Sequence, residues 1–208
     1  MDCITSKINA LCVLSNFQFY LNFNSLFEKI ISVANFFGFQ LFLDEFKIKI
    51  QICSELDFNQ KKNKFQMNDS EDLIAFTCNV NQIFVLEYEK IKNKYTFEEY
   101  EAVIIHECVH VFQAYFSRLS PKQYIWLYES VACHLAEQKK HYDLNKLVSW
   151  DTFINDFYNI DDCYGLAYKF GNIIFSHFGQ DIFNVIKNPK NYIEQLKYIY
   201  ATEIFSVT

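Results

Sequence analysis

The stretch Ile105-His106-Glu107-Cys108-Val109-His110-Val111 sets two histidines four residues apart, with a glutamate directly after the first. On a helix, residues four apart lie one turn above each other on one face, so both imidazoles can aim at a single point. A zinc ion suits two such nitrogens, and Glu107, on the flank of that face, can reach a water beside the metal and act as a general base. Cys108 lies two residues from either histidine and points elsewhere, which makes core packing its expected role. Two satisfied histidines on a half-buried helix would spell the same five letters. A third ligand separates the two readings. The metzincin extension asks for Gly and His three and six residues past the second histidine, where this chain has Gln113 and Phe116, so that branch is excluded.

Trp126-Leu127-Tyr128-Glu129-Ser130-Val131-Ala132 offers a carboxylate, with eighteen residues between His110 and Glu129. Here the chain resembles the gluzincin metallopeptidases, in particular the peptidase MA-like group, whose second helix often reads Trp-x-x-Glu-Gly-x-Ala. The resemblance implies His106, His110 and Glu129 as ligands of one Zn2+ per chain, with Glu107 as the base. Tyr164-Gly165-Leu166-Ala167-Tyr168, continuing to His177-Phe178-Gly179, is also similar to the family. It implies Tyr164 as a donor to the oxyanion, with Tyr168 one turn on as the reserve. Two positions depart from the pattern. Ser130 replaces the Gly, and Cys133 stands where thermolysin-like members carry an Asp, which leaves the group orienting the imidazoles unidentified.

The elements that must position these residues are legible from capping and periodicity. Thr96-Phe97-Glu98-Glu99 is a capping box flanked by Tyr95 and Tyr100, which predicts a helix from Phe97 to about Ser117. Ser120-Pro121-Lys122-Gln123, with Leu119 and Tyr124 around it, predicts a second helix that carries Glu129. His134 lies five residues past Glu129, well around that helix, and reads as structural. Upstream, Phe17 to Phe23 and Phe46 to Ile52 alternate as strands, and a box at Ser25-Leu26-Phe27-Glu28 opens a helix that closes at Gly38. The polar segment from Phe58 to Asp72 reads as a loop or lid. Leu73 to Cys78 and Gln82 to Glu87 read as a hairpin or bulged pair. Beyond Lys140 helices are expected over Trp150 to Phe157, Tyr164 to Phe178, Asp181 to Lys187 and Asn191 to about Ile204.

The expected class is therefore α+β: a small N-terminal mixed sheet with one helix, then the zinc helix, the glutamate helix and a C-terminal helical subdomain. One zincin-like domain over residues 1–208 is expected, sheet-rich over 1–95 and helical over 96–208. An apolar content of 51% in 208 residues is ample for a core. Seven cysteines, an odd number with no C-x-x-C pair, suit a reduced interior. There is no clean signal peptide and no apolar run of about 20 residues that would span a membrane, so a cytoplasmic protein is expected. A net charge of −6 with scattered basic residues argues against a nucleic-acid partner.

Taken together, the residues point to a zinc-dependent peptidase acting on a peptide or protein substrate. The resemblance implies that an edge strand holds the substrate backbone, and Ala75, Phe76 and Thr77 are the candidates. Leu73 to Asn79 contains no carboxylate to hold a free amine, which favours an endopeptidase over amino-terminal trimming. A regulatory peptidase of the ImmA/IrrE type that cleaves one dedicated partner is one alternative. A silent structural zinc module is another, although such sites usually close with four protein ligands.

Overall fold

The computed structural model describes residues 12–15, 23–39, 48–67, 73–79, 81–117, 121–139, 143, 146 and 148–204. The chain is α+β, and it divides into two compact units, Met1–Phe112 and Gln113–Thr208.

The first unit is built on a four-stranded mixed sheet. Its strands are β1 (Cys12–Ser15), β2 (Ile48–Cys53), β3 (Ala75–Cys78) and β4 (Gln82–Leu86), in the order β1-β2-β4-β3. β2 runs parallel to β1 and to β4, while β3 pairs antiparallel with β4 at the edge, Phe76 opposite Phe84 and Thr77 opposite Ile83. Alternation sets the two faces. Phe76 and Cys78 of β3, Phe84 of β4 and Cys53 of β2 form one buried cluster with Phe58.

Phe58 lies on α2 (Glu55–Lys64), which follows α1 (Phe23–Phe36). The unit thus has a second helix where the sequence reading expected a polar loop. The reason is visible in the capping and charge. Ser54 accepts a hydrogen bond from the Asp57 amide at 3.4 Å, acids occupy the first turn, and Lys61, Lys62 and Lys64 occupy the last. That charge order matches the helix dipole. One buried ring anchors the helix, because Phe58 is buried while Leu56 stays exposed, so no apolar period shows.

The strand expected at Phe17 to Phe23 lies outside the described residues except for Phe23, which is helical, and a strand that was not expected, β1, lies at Cys12–Ser15. α1 begins at Phe23, ahead of the expected box at Ser25.

α3 (Phe97–Ser117) starts where predicted. The box is reciprocal: the Glu99 amide donates to Thr96 Oγ1 at 3.2 Å, and the Thr96 amide donates to Glu99 Oε2 at 2.7 Å. Tyr100 fastens this helix to the sheet by donating its hydroxyl proton to the Leu86 carbonyl at 2.9 Å. Phe112 receives the rings of Phe37 and Phe39, with centroids 5.9 and 5.0 Å away.

The second unit takes in the last turn of α3 and continues through α4 (Ile125–Leu135), α5 (Trp150–Asn155), α6 (Cys163–Phe178), α7 (Ile182–Lys187) and α8 (Ile193–Ile199). Short 3-10 turns at Pro121–Tyr124, Phe157–Asn159 and Pro189–Tyr192 take up ends that the sequence reading assigned to helix. The unit is held by aromatic packing: Trp126 sits against Trp150, Phe153 and Phe170, and Phe153 stacks on Tyr200 at 5.0 Å. α4 and α6 approach closely at Gly171, where a Cβ would lie 2.2 Å from the Ser130 carbonyl oxygen.

Candidate metal centre

α3 presents His106 and His110 as the four-residue spacing requires. Their Nε2 atoms lie 2.9 Å apart, with ring planes at 85°. Two imidazole nitrogens at that distance share a proton, or else both turn their lone pairs on one cation. Nitrogens about 2.0–2.1 Å from a tetrahedral zinc would stand roughly 3.3 Å apart, within a few tenths of an ångström of the separation seen. His106 is buried and His110 half-buried.

Glu129 completes the donor set. One ligand atom from each of His106, His110 and Glu129 lies within 4.8 Å of the others, so the group could hold a metal ion. Two imidazoles and a carboxylate are a donor set that zinc accepts, and among the described residues no fourth His, Cys, Asp or Glu joins the group. The local supports of Glu129 lie on its own side of the chain. Gln113, one turn past His110 on α3, donates its Nε2 proton to the Tyr128 carbonyl at 3.0 Å. Tyr158 donates its hydroxyl proton to Glu129 Oε1 at 2.8 Å. Ser130 turns its hydroxyl back onto the Trp126 carbonyl at 2.6 Å, and so fits on a helix face that the family pattern reserves for Gly.

Glu107 stands outside this group of three. Its carboxylate Oε2 accepts a hydrogen bond from Thr77 Oγ1 at 2.7 Å, and both residues are half-buried. Thr77 and Ala75 lie on β3. The Leu86 amide donates to the Ile74 carbonyl, and antiparallel ladder bonds alternate, so Ile74, Phe76 and Cys78 pair into β4. The main-chain groups of Ala75 and Thr77 therefore face away from β4, with Ala75 buried and Thr77 half-buried. Phe76 differs from these two, since its ring lies in the aromatic core against Phe58 and Phe84.

Tyr164, at the start of α6, packs its ring edge-on against Phe157 at 6.3 Å. The phenol bonded to the Glu129 carboxylate is that of Tyr158, six residues earlier and on a 3-10 turn. Sequence reasoning missed it because no motif marks one tyrosine among 14. His134 is engaged as a structural residue: Nδ1 lies 2.6 Å from Asn172 Oδ1, and the ring stacks on Phe175 at 3.8 Å. Burial draws its pKa below the usual histidine value, partly offset by the Asn172 bond and by Glu137. Cys108 is fully buried. Among the described residues, no helix is long and apolar enough to cross a membrane.

A scan against protein-family models, a search of the curated proteins and a search of the solved structures each returned no match to this chain.

Proposed function

We propose that the protein is a zinc-dependent peptidase of gluzincin type, with His106, His110 and Glu129 as the metal ligands and Glu107 as the general base. The observation that carries the reading is the convergence of three ligand atoms within 4.8 Å while the neighbouring Glu107 carboxylate stays outside the group. A structural zinc site usually closes with four protein ligands, whereas three converge here among the described residues. A separate, anchored carboxylate beside three ligands is the arrangement that hydrolysis needs.

Zinc bound there would supply acidified water and a Lewis acid for a peptide carbonyl. The remaining work falls to the chain itself. Glu107 takes a proton from water and returns it to the leaving amine. Tyr158 fixes the Glu129 carboxylate, and Tyr164 is the candidate donor to the oxyanion. An extended peptide would pair with the outer side of β3, where the main-chain groups of half-buried Thr77 and buried Ala75 point away from β4, which suits cleavage within a chain.

Purified protein should bind about one zinc per chain. Alanine at His106, His110 or Glu129 should abolish most of that binding. Glu107→Gln should keep the metal and lose hydrolysis of an unfolded polypeptide by about 10²-fold or more. Undiminished zinc in Glu129→Ala would remove the gluzincin assignment, and loss of zinc in Glu107→Gln would remove the assignment of base.

A further inference from the structure

β3 brings a side chain to Glu107 that neither the spacing of the histidines nor the resemblance assigns to it. The strand alternates, with Phe76 and Cys78 pointing into the aromatic core and Thr77 pointing to the opposite face, where α3 passes. Thr77 Oγ1 lies 2.7 Å from Glu107 Oε2 and 3.1 Å from the Glu107 carbonyl oxygen. A hydroxyl has one proton to donate. The shorter contact has the length of a charge-assisted bond to a carboxylate, so the proton goes to the side chain.

We propose that Thr77 is the positioning residue for Glu107, holding the carboxylate of the base in one rotamer from the edge strand of the sheet. The proposal rests on the peptidase reading above for its catalytic meaning.

The physical case concerns freedom. A glutamate on a half-buried helix face has three side-chain torsions, and without an anchor its carboxylate samples several places. Threonine on a strand is stiff at χ1, and β3 is fixed to β4 by its ladder, so the anchor is rigid. A bond to Oε2 also divides the carboxylate, one oxygen held by protein and Oε1 left to accept a proton from water. Because the Thr77 main chain points away from β4 on the outer side of the strand, the strand proposed to seat the substrate and the group proposed to activate water belong to one rigid frame. Precise placement of a catalytic group is worth one to two orders of magnitude in rate.

The test uses the full-length protein with Thr77→Val, which keeps the shape and removes the hydroxyl, and Thr77→Ser, which keeps the hydroxyl. Thr77→Val should retain zinc, lower kcat by about 10–30-fold and leave KM within about twofold. Thr77→Ser should return kcat to within about threefold of the unsubstituted protein. Unchanged kcat in Thr77→Val, loss of zinc alongside activity, or no rescue by serine each overturns the proposal. A second measurement needs no activity: thermal melts of chelator-treated protein carrying Thr77→Val, Glu107→Ala or both. The drop caused by Thr77→Val should be at least halved when Glu107 is alanine. Equal drops in the two backgrounds mean that the two side chains are not coupled, which also overturns it. If the unsubstituted protein cleaves no polypeptide, the peptidase reading is what fails, and the melts alone decide whether Thr77 holds Glu107.

Discussion

At the scale of single residues, what could be read in advance was whatever a helix fixes by spacing. His106 and His110 had to share a face, and their nitrogens converge to 2.9 Å. The supports of the site were hidden, because each reaches its target across a long stretch of sequence that holds other strands and helices. Thr77 and Glu107 are 30 residues apart, and Tyr158 and Glu129 are 29 apart. Neither pair carries a pattern in the letters. On the zinc reading, Tyr158 is expected to bear on metal affinity through its bond to Glu129. A buried carboxylate that loses its donor reorients or recruits another, and removing such a support typically weakens metal binding about 10–100-fold. Tyr158→Phe should therefore raise the zinc dissociation constant by that factor, measured by competition with a chromophoric chelator, while Tyr164→Phe should leave it near the original value. The reverse result would exchange the roles of the two tyrosines.

At the scale of elements, caps proved more informative than hydrophobic period. α3 begins at its reciprocal Thr96–Glu99 box, whereas α2 shows almost no apolar stripe and was legible only as Ser54 followed by acids and then lysines. The sheet order was not legible, since strand pairing is settled by tertiary contacts and β3 precedes β4 in sequence yet lies outside it. Two of the chain's four glycines lie within α6, and they are not equivalent. A methyl at Gly171 would strike the main-chain oxygen of Ser130 at 2.2 Å, and backbone cannot step aside. At Gly165 the obstacle is the Asp162 side chain at 2.3 Å, which caps the helix by accepting from the Gly165 amide and can rotate away. Gly171→Ala should cost about 1–3 kcal/mol through forced separation of α4 and α6. Gly165→Ala should cost about 1 kcal/mol, the worth of a lost cap. Chemical denaturation of the two variants would test the order, and a milder effect at Gly171 would contradict the close approach of the helices.

At the scale of the whole molecule, the class followed from the early strands and late helices. The first compact unit takes in most of α3 and runs to Phe112, and Tyr100 bonded to Leu86 and Glu107 bonded to Thr77 tie that helix to the sheet. Global stability should carry the signature of a buried acid on that same helix. Glu101 is 5% exposed and its Oε1 has no hydrogen-bond partner among the described residues. Burial raises its pKa above 4.5, with Lys29 pulling it down and Glu98 pushing it further up. The folded protein thus holds the Glu101 proton more tightly than the unfolded chain. The associated stability is present below the unfolded value and is lost as pH rises through the raised folded value. Glu101→Gln should melt at nearly the same temperature as the unsubstituted protein near pH 4, and above it at pH 7 to 8. A constant difference across that range would show that the carboxylate is not ionising at a cost.

The buried sulfurs give each half of the chain its own clock. Cys53, Cys78 and Cys108 lie in the first unit and Cys133 and Cys163 in the second, all buried, and burial beside Asp57 pushes the Cys53 thiol up to about 12. An alkylating reagent near neutral pH can then mark these sulfurs only when the surrounding structure opens. Timed alkylation followed by peptide mass analysis would record separate opening rates for the two units, with no engineered label. Adding zinc would show whether the metal slows one clock or both.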